Sequence, residues 1–428
     1  MIGAPRRFCC RFLLVVVFAD CGSAQIAQTW EQVRDRFVAT NPNLIAAHIG
    51  VDQSRAAEVI AFLRPNPNFT GTIDQINPFS TQPPPSGSGG SSYRPFAFAL
   101  PSASISYLHE RQHKRELRRD SARGATAIAA SQLADQERNL LFTLRNAFVQ
   151  ILHQKAIVAL AKENLSYYDQ VLKVSRDRSQ LGDIAPVDLD RLEIQRVQYE
   201  TDLQTASVSL RTAKIELLNL LNDREPVDRL DITGPYDFPG QLPFTLEEFR
   251  QAALNGRPDL QAAVQAIDKA RIDHRLAVAN GSTDPTFAVD FARNPPIPVY
   301  LGVSVMIPLR IFDRNQGEKA RTLLEVNRTE RLLDATKAQV FSDVDSAYAS
   351  LESNLILLKT YKENYLKRAT QVRDTILFSY QHGGASLLDF IQAQQDYRSI
   401  RLNYVDLIGS YLTAAAQLNL AMGREVLR

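Results

Sequence analysis

Two long stretches without helix breakers constrain this fold most. From Asp120 to Gln180 the chain has one glycine and no proline, and from Glu318 to His382 it has neither. At 1.5 Å per residue each stretch predicts a helical rod of roughly 90 to 100 Å. Rods of this length exceed the helices of ordinary globular domains, so they favour coiled-coil packing.

Apolar residues recur every seven positions along both rods, which keeps one seam turned toward a neighbouring helix. They are Leu144, Ile151, Val158, Leu165 and Leu172 in the first rod, and Val344, Leu351, Leu358, Tyr365 and Val372 in the second. Each rod ends at a glycine turn, Gly182-Asp183 or Gly383-Gly384. Helix-start residues follow, Pro186 in one copy and Ser386 to Asp389 in the other, so we expect each rod to fold back as a hairpin.

The chain contains one plan twice. The segment from Thr29 to Arg55 matches the segment 216 residues later, and a second match at an offset of 201 residues pairs Gly182 with Gly383. Both copies open with a capping-box sequence, Thr29 to Gln32 and Thr245 to Glu248. The predicted first repeat is 25–224, with a strand pair at 66–108, a long helix at 118–180 and a return helix at 186–222. After a linker at 225–240, the second repeat is 241–428, with a strand pair at 284–308, a long helix at 316–381 and a return helix at 386–423.

Strands are predicted where apolar residues alternate with small or polar ones. In the second repeat Phe287, Val289 and Phe291 precede a Pro-rich link, and Val299, Leu301, Val303, Val305 and Ile307 follow it. The first repeat has a weaker version at Phe69–Phe79 and Phe96–Tyr107, joined by the low-complexity loop Thr81–Gly90. Such strands alone are also typical of soluble sheets. Four strands of about ten residues have the length that a bilayer requires but cannot close on themselves, so we expect several copies to share one barrel.

Residues 1–24 are typical of a secretion signal that is cleaved after Ala24. Basic residues come first, then an apolar run, then small residues: Arg6, Arg7, Arg11, Phe12–Ala19, Gly22, Ser23 and Ala24. Lipid attachment at Cys21 is the alternative, although Asp20 stands where that processing prefers a small residue. All three cysteines lie in this leader, which suits an oxidising compartment.

Without the leader the chain has equal numbers of basic and acidic residues, 46 of each. A neutral chain lacks the cationic excess that binds a polyanion, which argues against nucleic acid as a partner. No later apolar stretch reaches the roughly 18 residues of a membrane-spanning helix, so a membrane would have to be crossed by strands.

The duplicated order of helix, strand pair, rod, glycine turn and return helix resembles the TolC family of outer-membrane efflux proteins over nearly the whole mature chain. Three motifs carry the resemblance: Asn255 to Leu260, Ile307 to Glu318, and Tyr380 to Gly383 with Leu387 to Asp389. The sequence from Asp313 to Glu318 is most similar to that of the CzcC-like heavy-metal cation efflux branch.

This resemblance implies a mainly α fold with a small β part, in which duplicated coiled-coil hairpins form an α-barrel and four strands join a trimeric 12-stranded transmembrane β-barrel. It implies a passive exit duct for cations or small toxic compounds in a tripartite, RND-type efflux system, with no catalytic residue and no cofactor. The implied partners are two further copies, outer-membrane lipid, a periplasmic adaptor and an inner-membrane pump. The implied location is the outer membrane of a Gram-negative bacterium, with a long periplasmic part.

The resemblance also carries site residues by position. Gly182, Asp183, Gly383 and Gly384 fall at the adaptor-contact tip, and Asp389 falls on a gate carboxylate, with Asp188 in the matching position of the first repeat. Gln392 stands where the family has a second gate acid. Three copies of Asp389 around one axis would attract cations. The simpler interpretation is that Asp188 and Asp389 favour the positive end of a helix.

Two other functions stay open at this point: an outer-membrane channel for type I protein secretion, and a secreted coiled-coil scaffold. No metal site is predicted, because His109 and His113 lie among basic residues and the mature chain has no cysteine.

Overall fold

The computed structural model describes residues 27–79, 81–82, 92–294 and 296–427. The predicted leader with Cys21, and most of the predicted loop Thr81–Gly90, lie outside these residues.

Helices make up most of the described chain. In the first repeat they are α1 (Trp30–Thr40), α2 (Pro42–Phe62), α3 (Lys114–Gln180) and α4 (Pro186–Leu220), and in the second α5 (Leu246–Gly256), α6 (Pro258–Asn280), α7 (Gln316–Thr360), α8 (Leu366–Gln381) and α9 (Leu387–Met422). The strands are β1 (Asn68–Asp74), β2 (Thr81–Gln82), β3 (Ser92–Tyr93), β4 (Leu100–Leu108), β5 (Thr286–Asn294) and β6 (Ile297–Met306). The two predicted capping boxes are present at the starts of α1 and α5.

The first rod is one uninterrupted helix of 67 residues, α3. Its predicted seam is confirmed, since Leu144, Ile151 and Leu172 are buried and Val158 and Leu165 are half-buried. The helix begins four residues before the predicted start at 118. Its first residue, Lys114, is buried, and its Nζ donates hydrogen bonds to Asp284 Oδ2 at 2.6 Å and to the Ser282 carbonyl at 2.9 Å. This anchoring explains why the helix begins at Lys114 and includes the residues before 118.

The second rod, predicted as one helix over 316–381, is interrupted by a π-helical turn, Tyr361–Tyr365. Upstream, Val344, Leu351 and Leu358 are buried as predicted. Downstream, the prediction that Tyr365 and Val372 belong to the seam is wrong, because 47% and 53% of their surfaces are exposed. The inward positions come one residue later, at Leu366, Arg373 and Tyr380, which are half-buried or buried. The π turn therefore contains one extra residue, which shifts the heptad by one.

The four long strands form one antiparallel sheet in the order β1-β4-β5-β6, so the central β4-β5 pair joins the two repeats. Both predicted strand pairs are confirmed, although β1 ends at Asp74 and β4 begins at Leu100, inside the predicted limits. Gln75, the residue after β1, has a φ of 58° in the left-handed region, which ends the strand.

The strand register separates the sheet into an apolar and a polar face. Because directly paired residues point to the same side, the apolar face consists of Phe69, Ile73, Ile105, Tyr107, Phe287, Val289, Phe291, Leu301, Val303 and Val305. The opposite face, which we call the polar face, carries Thr70, Thr72, Ser102, Ser104, Ser106, Asp290 and Ser304 together with the less polar Leu100, Leu108, Ala288, Ala292, Tyr300 and Met306. No described part of the chain covers the apolar face fully: Phe69 is 73% exposed, Leu301 70% and Val303 76%.

Each repeat has its own apolar core beside the long helices. In the first, Val33 and Phe37 of α1 pack with Leu144 and Leu217 of α3 and α4; in the second, Phe249 of α5 packs with residues of α7 and α9. Tyr236, in the segment between the repeats, contacts both cores. In the described part of the chain, no helix combines the length and the apolarity needed to cross a membrane.

Candidate functional site

The two hairpin ends have the same backbone geometry. Gly182 and Gly383 have φ values of +83° and +78°, which L side chains rarely adopt. The amide after each glycine returns to the preceding helix, from Asp183 to the Arg178 carbonyl at 2.9 Å and from Gly384 to the Ser379 carbonyl at 2.7 Å. Both rods thus end in the glycine-dependent type of helix termination. The four predicted tip residues lie in these turns, and all four are exposed.

Asp389 is the third residue of α9 and takes part in a capping box. The Asp389 amide donates to Ser386 Oγ at 3.2 Å, while Asp389 Oδ2 accepts from the Ser386 amide at 3.1 Å and from Ser386 Oγ at 2.7 Å. These bonds, first the one from the side chain and then the one from the backbone, lower the pKa of the Asp389 carboxyl. The carboxylate is therefore ionised at neutral pH while its residue stays exposed to solvent.

Asp188 occupies the same third position in α4 but has different contacts. The cap position, Ala185, has no side-chain acceptor, and Asp188 instead forms an ion pair with Arg191 at 3.4 Å. Gln392, one turn beyond Asp389, is exposed and donates to Asp396 Oδ1 at 2.8 Å. The three predicted gate positions thus differ. Asp389 is held by a capping box, Asp188 forms an ion pair with an arginine, and Gln392 has no charge.

An aromatic cluster connects the ends of the two hairpins. Tyr380 and Phe390 stack at 5.2 Å between ring centroids, and Tyr168 and Tyr199 stack at 4.6 Å. These four rings share one buried cluster with Leu172, Val171 and Leu192. Burial raises the pKa of the Tyr168 phenol, whose OH donates to the Leu192 carbonyl at 3.0 Å. Because the cluster contains residues of both repeats, the two turns are held in a fixed relation.

Polar contacts between the hairpins were not predicted from the sequence. Arg398 Nη1 donates to Asp202 Oδ2 at 2.7 Å, joining α9 to α4, and Arg401 Nη2 donates to Glu163 Oε2 at 2.9 Å, joining α9 to α3. The guanidinium of Arg373 lies 4.1 Å from the ring centroid of Tyr397. One signal was available: neither Arg398 nor Arg401 has an acidic residue three or four positions away. That signal does not say which helix supplies the partner.

Beyond these contacts a polar groove separates α4 from α9 near the hairpin ends. It is lined by Ile194, Gln198, Gln392, Gln395, Asp396 and Arg398, among others. Gln392 thus lies in the solvent-exposed groove, whereas Phe390, two positions earlier, is buried in the aromatic cluster.

A metal centre is not found in the described residues, where no three or more His, Cys, Asp and Glu side chains group around a possible ion. His109 packs edge-on against Phe287 at 6.5 Å between centroids, and His113 lies 4.0 Å from Glu116. The two histidines thus contact different neighbours.

Comparison with known proteins finds one matching family model and several proteins of similar sequence. Residues 297–424 match the family described as outer membrane efflux protein. The chain is 24% identical over 317 residues to the cobalt-zinc-cadmium resistance protein CzcC of Cupriavidus metallidurans, covering 73% of this chain and 74% of that one. It is 20% identical over 322 residues to the outer membrane efflux protein BepC of Brucella suis, covering 72% and 69%.

The fold is similar to that of solved channel structures. CusC matches with a TM-score of 0.74 at 16% identity, over 92% of both chains. These comparisons agree with the duplicated helical hairpins and the single four-stranded sheet described above. Residues 297–424 thus match the outer membrane efflux protein family, and most of the chain is similar in sequence or in fold to CzcC, BepC and CusC.

Proposed function

We propose that this chain is the outer-membrane channel subunit of a tripartite efflux system and provides a passive exit duct. The observation that carries the proposal is the division of the sheet into an apolar and a polar face, both open to the surroundings. Water on the apolar face would be unfavourable by about 25 cal/mol per Å² of apolar surface. A lipid environment outside and an aqueous channel inside satisfy both faces at once.

The edges of the sheet supply the oligomeric argument. β1 and β6 each have a neighbour on one side only among the described strands, so each leaves a row of backbone groups unpaired. Such groups are costly in hydrocarbon, and closure into a barrel removes the cost. Three copies, each giving four strands, close a twelve-stranded barrel, and the two hairpins of each copy continue it as a helical tunnel into the periplasm.

The hairpin ends are proposed to be the periplasmic entrance. Three exposed, ionised Asp389 carboxylates around the axis would form an acidic ring that favours cations. Asp188 contributes less to that ring because Arg191 neutralises it, and Gln392 adds no charge. Gly182, Asp183, Gly383 and Gly384 are proposed to contact the adaptor, which connects the duct to an inner-membrane pump.

The proposed cargo is cations or small toxic compounds. The name of CzcC, cobalt-zinc-cadmium resistance protein, favours metal ions as one cargo of this chain. Deletion of the gene should therefore raise sensitivity to divalent metals or to small drugs. Loss of a secreted protein from the medium, with both sensitivities unchanged, would favour protein export instead.

The channel is tested by mass and conductance. In detergent, light scattering should give three copies per particle, and insertion into a planar bilayer should give cation-preferring steps of current. A monodisperse monomer that needs no detergent and gives no conductance would refute the channel.

The gate is tested with two variants that separate charge from helix capping. Asp389→Asn removes the charge but retains a capping acceptor, so it should lower cation preference with little loss of stability. Ser386→Ala removes the hydroxyl from the capping box and leaves the charge, so it should cost about 1 kcal/mol of stability and keep the preference. Unchanged selectivity in Asp389→Asn would restrict Asp389 to the capping role.

A further inference from the structure

Basic residues gather where the sheet meets the helices. The four segments at this level, 62–65, 107–119, 281–285 and 307–319, together contain nine Lys and Arg against five Asp and Glu, although the whole chain is nearly balanced at 49 and 47. At the opposite end of the sheet, the connection 75–99 contains one charged residue, Arg94. The excess of positive charge is therefore specific to the helical end of the sheet.

Four of these arginines form no hydrogen bond or ion pair through their guanidinium groups among the described residues, although Arg310 lies within electrostatic reach of Asp284, which already pairs with Lys114. They are Arg64, Arg111, Arg310 and Arg314, which we call the basic collar; three are exposed and Arg310 is half-buried. Their neighbours show that partners are used where they exist: Lys114 pairs with Asp284, and Arg118 pairs with Glu110. Arg64 and Arg111 also line an open cavity of about 470 Å³ with His109, His113 and Lys114.

Very exposed apolar side chains alternate with the collar. Phe312 is 90% exposed, Leu309 80% and Ile311 62%, and Arg310 and Arg314 stand among them. Leu63, next to Arg64, is 59% exposed. Apolar side chains mixed with unpaired cations are typical of surfaces that lie at a lipid headgroup layer, with the apolar groups in the acyl boundary and the cations at the phosphates.

Both repeats build this surface with the same backbone device. His113 and Asn315, which immediately precede α3 and α7, have left-handed φ values of 55° and 59°. Each loop therefore turns sharply between the sheet and its rod and presents its side chains at one level. That level is the end of the apolar face formed by residues such as Phe287 and Val305.

We propose that the basic collar binds the phosphates of anionic glycerophospholipids in the membrane leaflet that faces the helical rods. The proposal rests on the proposed function, because the sheet must lie in a membrane for the collar to meet headgroups. It goes further by assigning a lipid class, since a net negative headgroup complements four unpaired guanidinium groups and a zwitterionic one does not.

The test measures lipid-induced stabilisation of the full chain purified in detergent. A ligand that binds the folded state raises the thermal midpoint, and the rise grows with the logarithm of the ligand concentration divided by its dissociation constant. Phosphatidylglycerol should raise the midpoint, phosphatidylcholine should raise it less, and inorganic phosphate at equal concentration should have no such effect. Removal of two collar charges in Arg310→Gln/Arg314→Gln should raise the phosphatidylglycerol concentration needed for a given rise in the midpoint by more than tenfold, from about fivefold per arginine near a surface.

A control pair removes two charges outside the collar. Arg55→Gln/Arg331→Gln changes two side chains that are 67% and 87% exposed on α2 and α7, and should leave the phosphatidylglycerol effect intact. The Phe312→Ser variant should reduce the rise in midpoint by the same factor for both lipids. An equal response to both lipids, or full retention of selectivity in the collar variant, would overturn the proposal, and reproduction by inorganic phosphate would identify a free-anion site instead. A wild-type protein that conducts as a trimer but shows no lipid selectivity would refute only the lipid-binding proposal, because conductance tests the channel proposal separately.

Discussion

The π turn in the second rod makes a sharp prediction about single-residue deletions. If Tyr361–Tyr365 contains one extra residue, deletion of the exposed Glu363 lets α7 and α8 join as a regular helix. Leu366 then follows Leu358 by seven positions, and every inward residue downstream keeps its place. The cost is limited to local contacts such as Lys362 over the Phe238 ring at 5.1 Å, worth about 0.5 to 1 kcal/mol.

Deletion of Glu352, about two and a half turns upstream of the π turn, is the matched control. Both glutamates are exposed, so their own contacts do not differ much. After this deletion the rod can again become regular, but the segment between residue 352 and the π turn is rotated. Ile356 takes the site of Leu355, which is tolerable, whereas Lys359 takes the site of Leu358, which is 0% exposed.

The magnitudes separate the two deletions. Loss of a buried leucine costs roughly 2 to 5 kcal/mol, and the buried ammonium adds to it. Thermal unfolding in detergent, followed by far-UV circular dichroism, should place the Glu363 deletion within a few degrees of wild type. The Glu352 deletion should melt at least about 5 °C lower, taking roughly 2 °C or more per kcal/mol. Equal destabilisation by both deletions would refute the one-residue phase shift.

Three further predictions concern backbone strain at two glycines and a buried ion pair. Gly383→Ala should cost about 1 to 2 kcal/mol of stability from its positive φ alone, because its added Cβ would meet no other atom. Gly423→Ala should cost more, because its Cβ would also lie 2.8 Å from the Gly256 carbonyl oxygen. The melting temperatures of both variants check this order. Arg257→Met should cost about 3 to 5 kcal/mol, because the buried guanidinium donates to Asp259 and to Asp343 Oδ2 at 2.7 Å. Burial would raise the pKa of the Asp259 carboxyl, but Arg257 lowers it overall. The ionised Asp259 carboxylate therefore stabilises the fold above its unfolded-state pKa of about 3.9, and this stabilisation is lost as pH falls through the lower pKa of the folded state. Asp259→Asn should thus melt below wild type at pH 7 and at the same temperature as wild type in strong acid.

The sequence contained enough to predict the rods, the strand pairs and the glycine turns. Periodicity in α3 predicted its seam, because nothing interrupts the 3.6-residue repeat over 67 residues. The second rod was predicted correctly only as far as Leu358. A heptad count assumes a constant helical phase, and the extra residue in the π turn changes that phase without any proline or glycine to mark it.

The site was predictable to a lesser depth. Ser386 to Asp389 was recognisable as a capping box because both partners are three residues apart. The different surroundings of Asp188 were missed, although Arg191 stands three residues away. Contacts such as Arg398 to Asp202 depend on how two hairpins lie side by side, which no local pattern specifies.

Insertion of the sheet in lipid is the claim on which the channel, the gate and the collar all depend. Ile105 and Ser106 are neighbours in the central strand β4 and point to opposite faces, Ile105 beside Val289 and Ser106 beside Ala288. A lysine on a lipid-facing position near the middle of a membrane costs about 2 to 4 kcal/mol, whereas a channel-facing lysine is solvated.

Outer-membrane fractionation of the two lysine variants is the most direct measurement. Ser106→Lys should be recovered in the outer membrane as a trimer at the wild-type level, and Ile105→Lys should be depleted there severalfold. Equal recovery of both variants, or loss of Ser106→Lys alone, would contradict the placement of the apolar face in lipid.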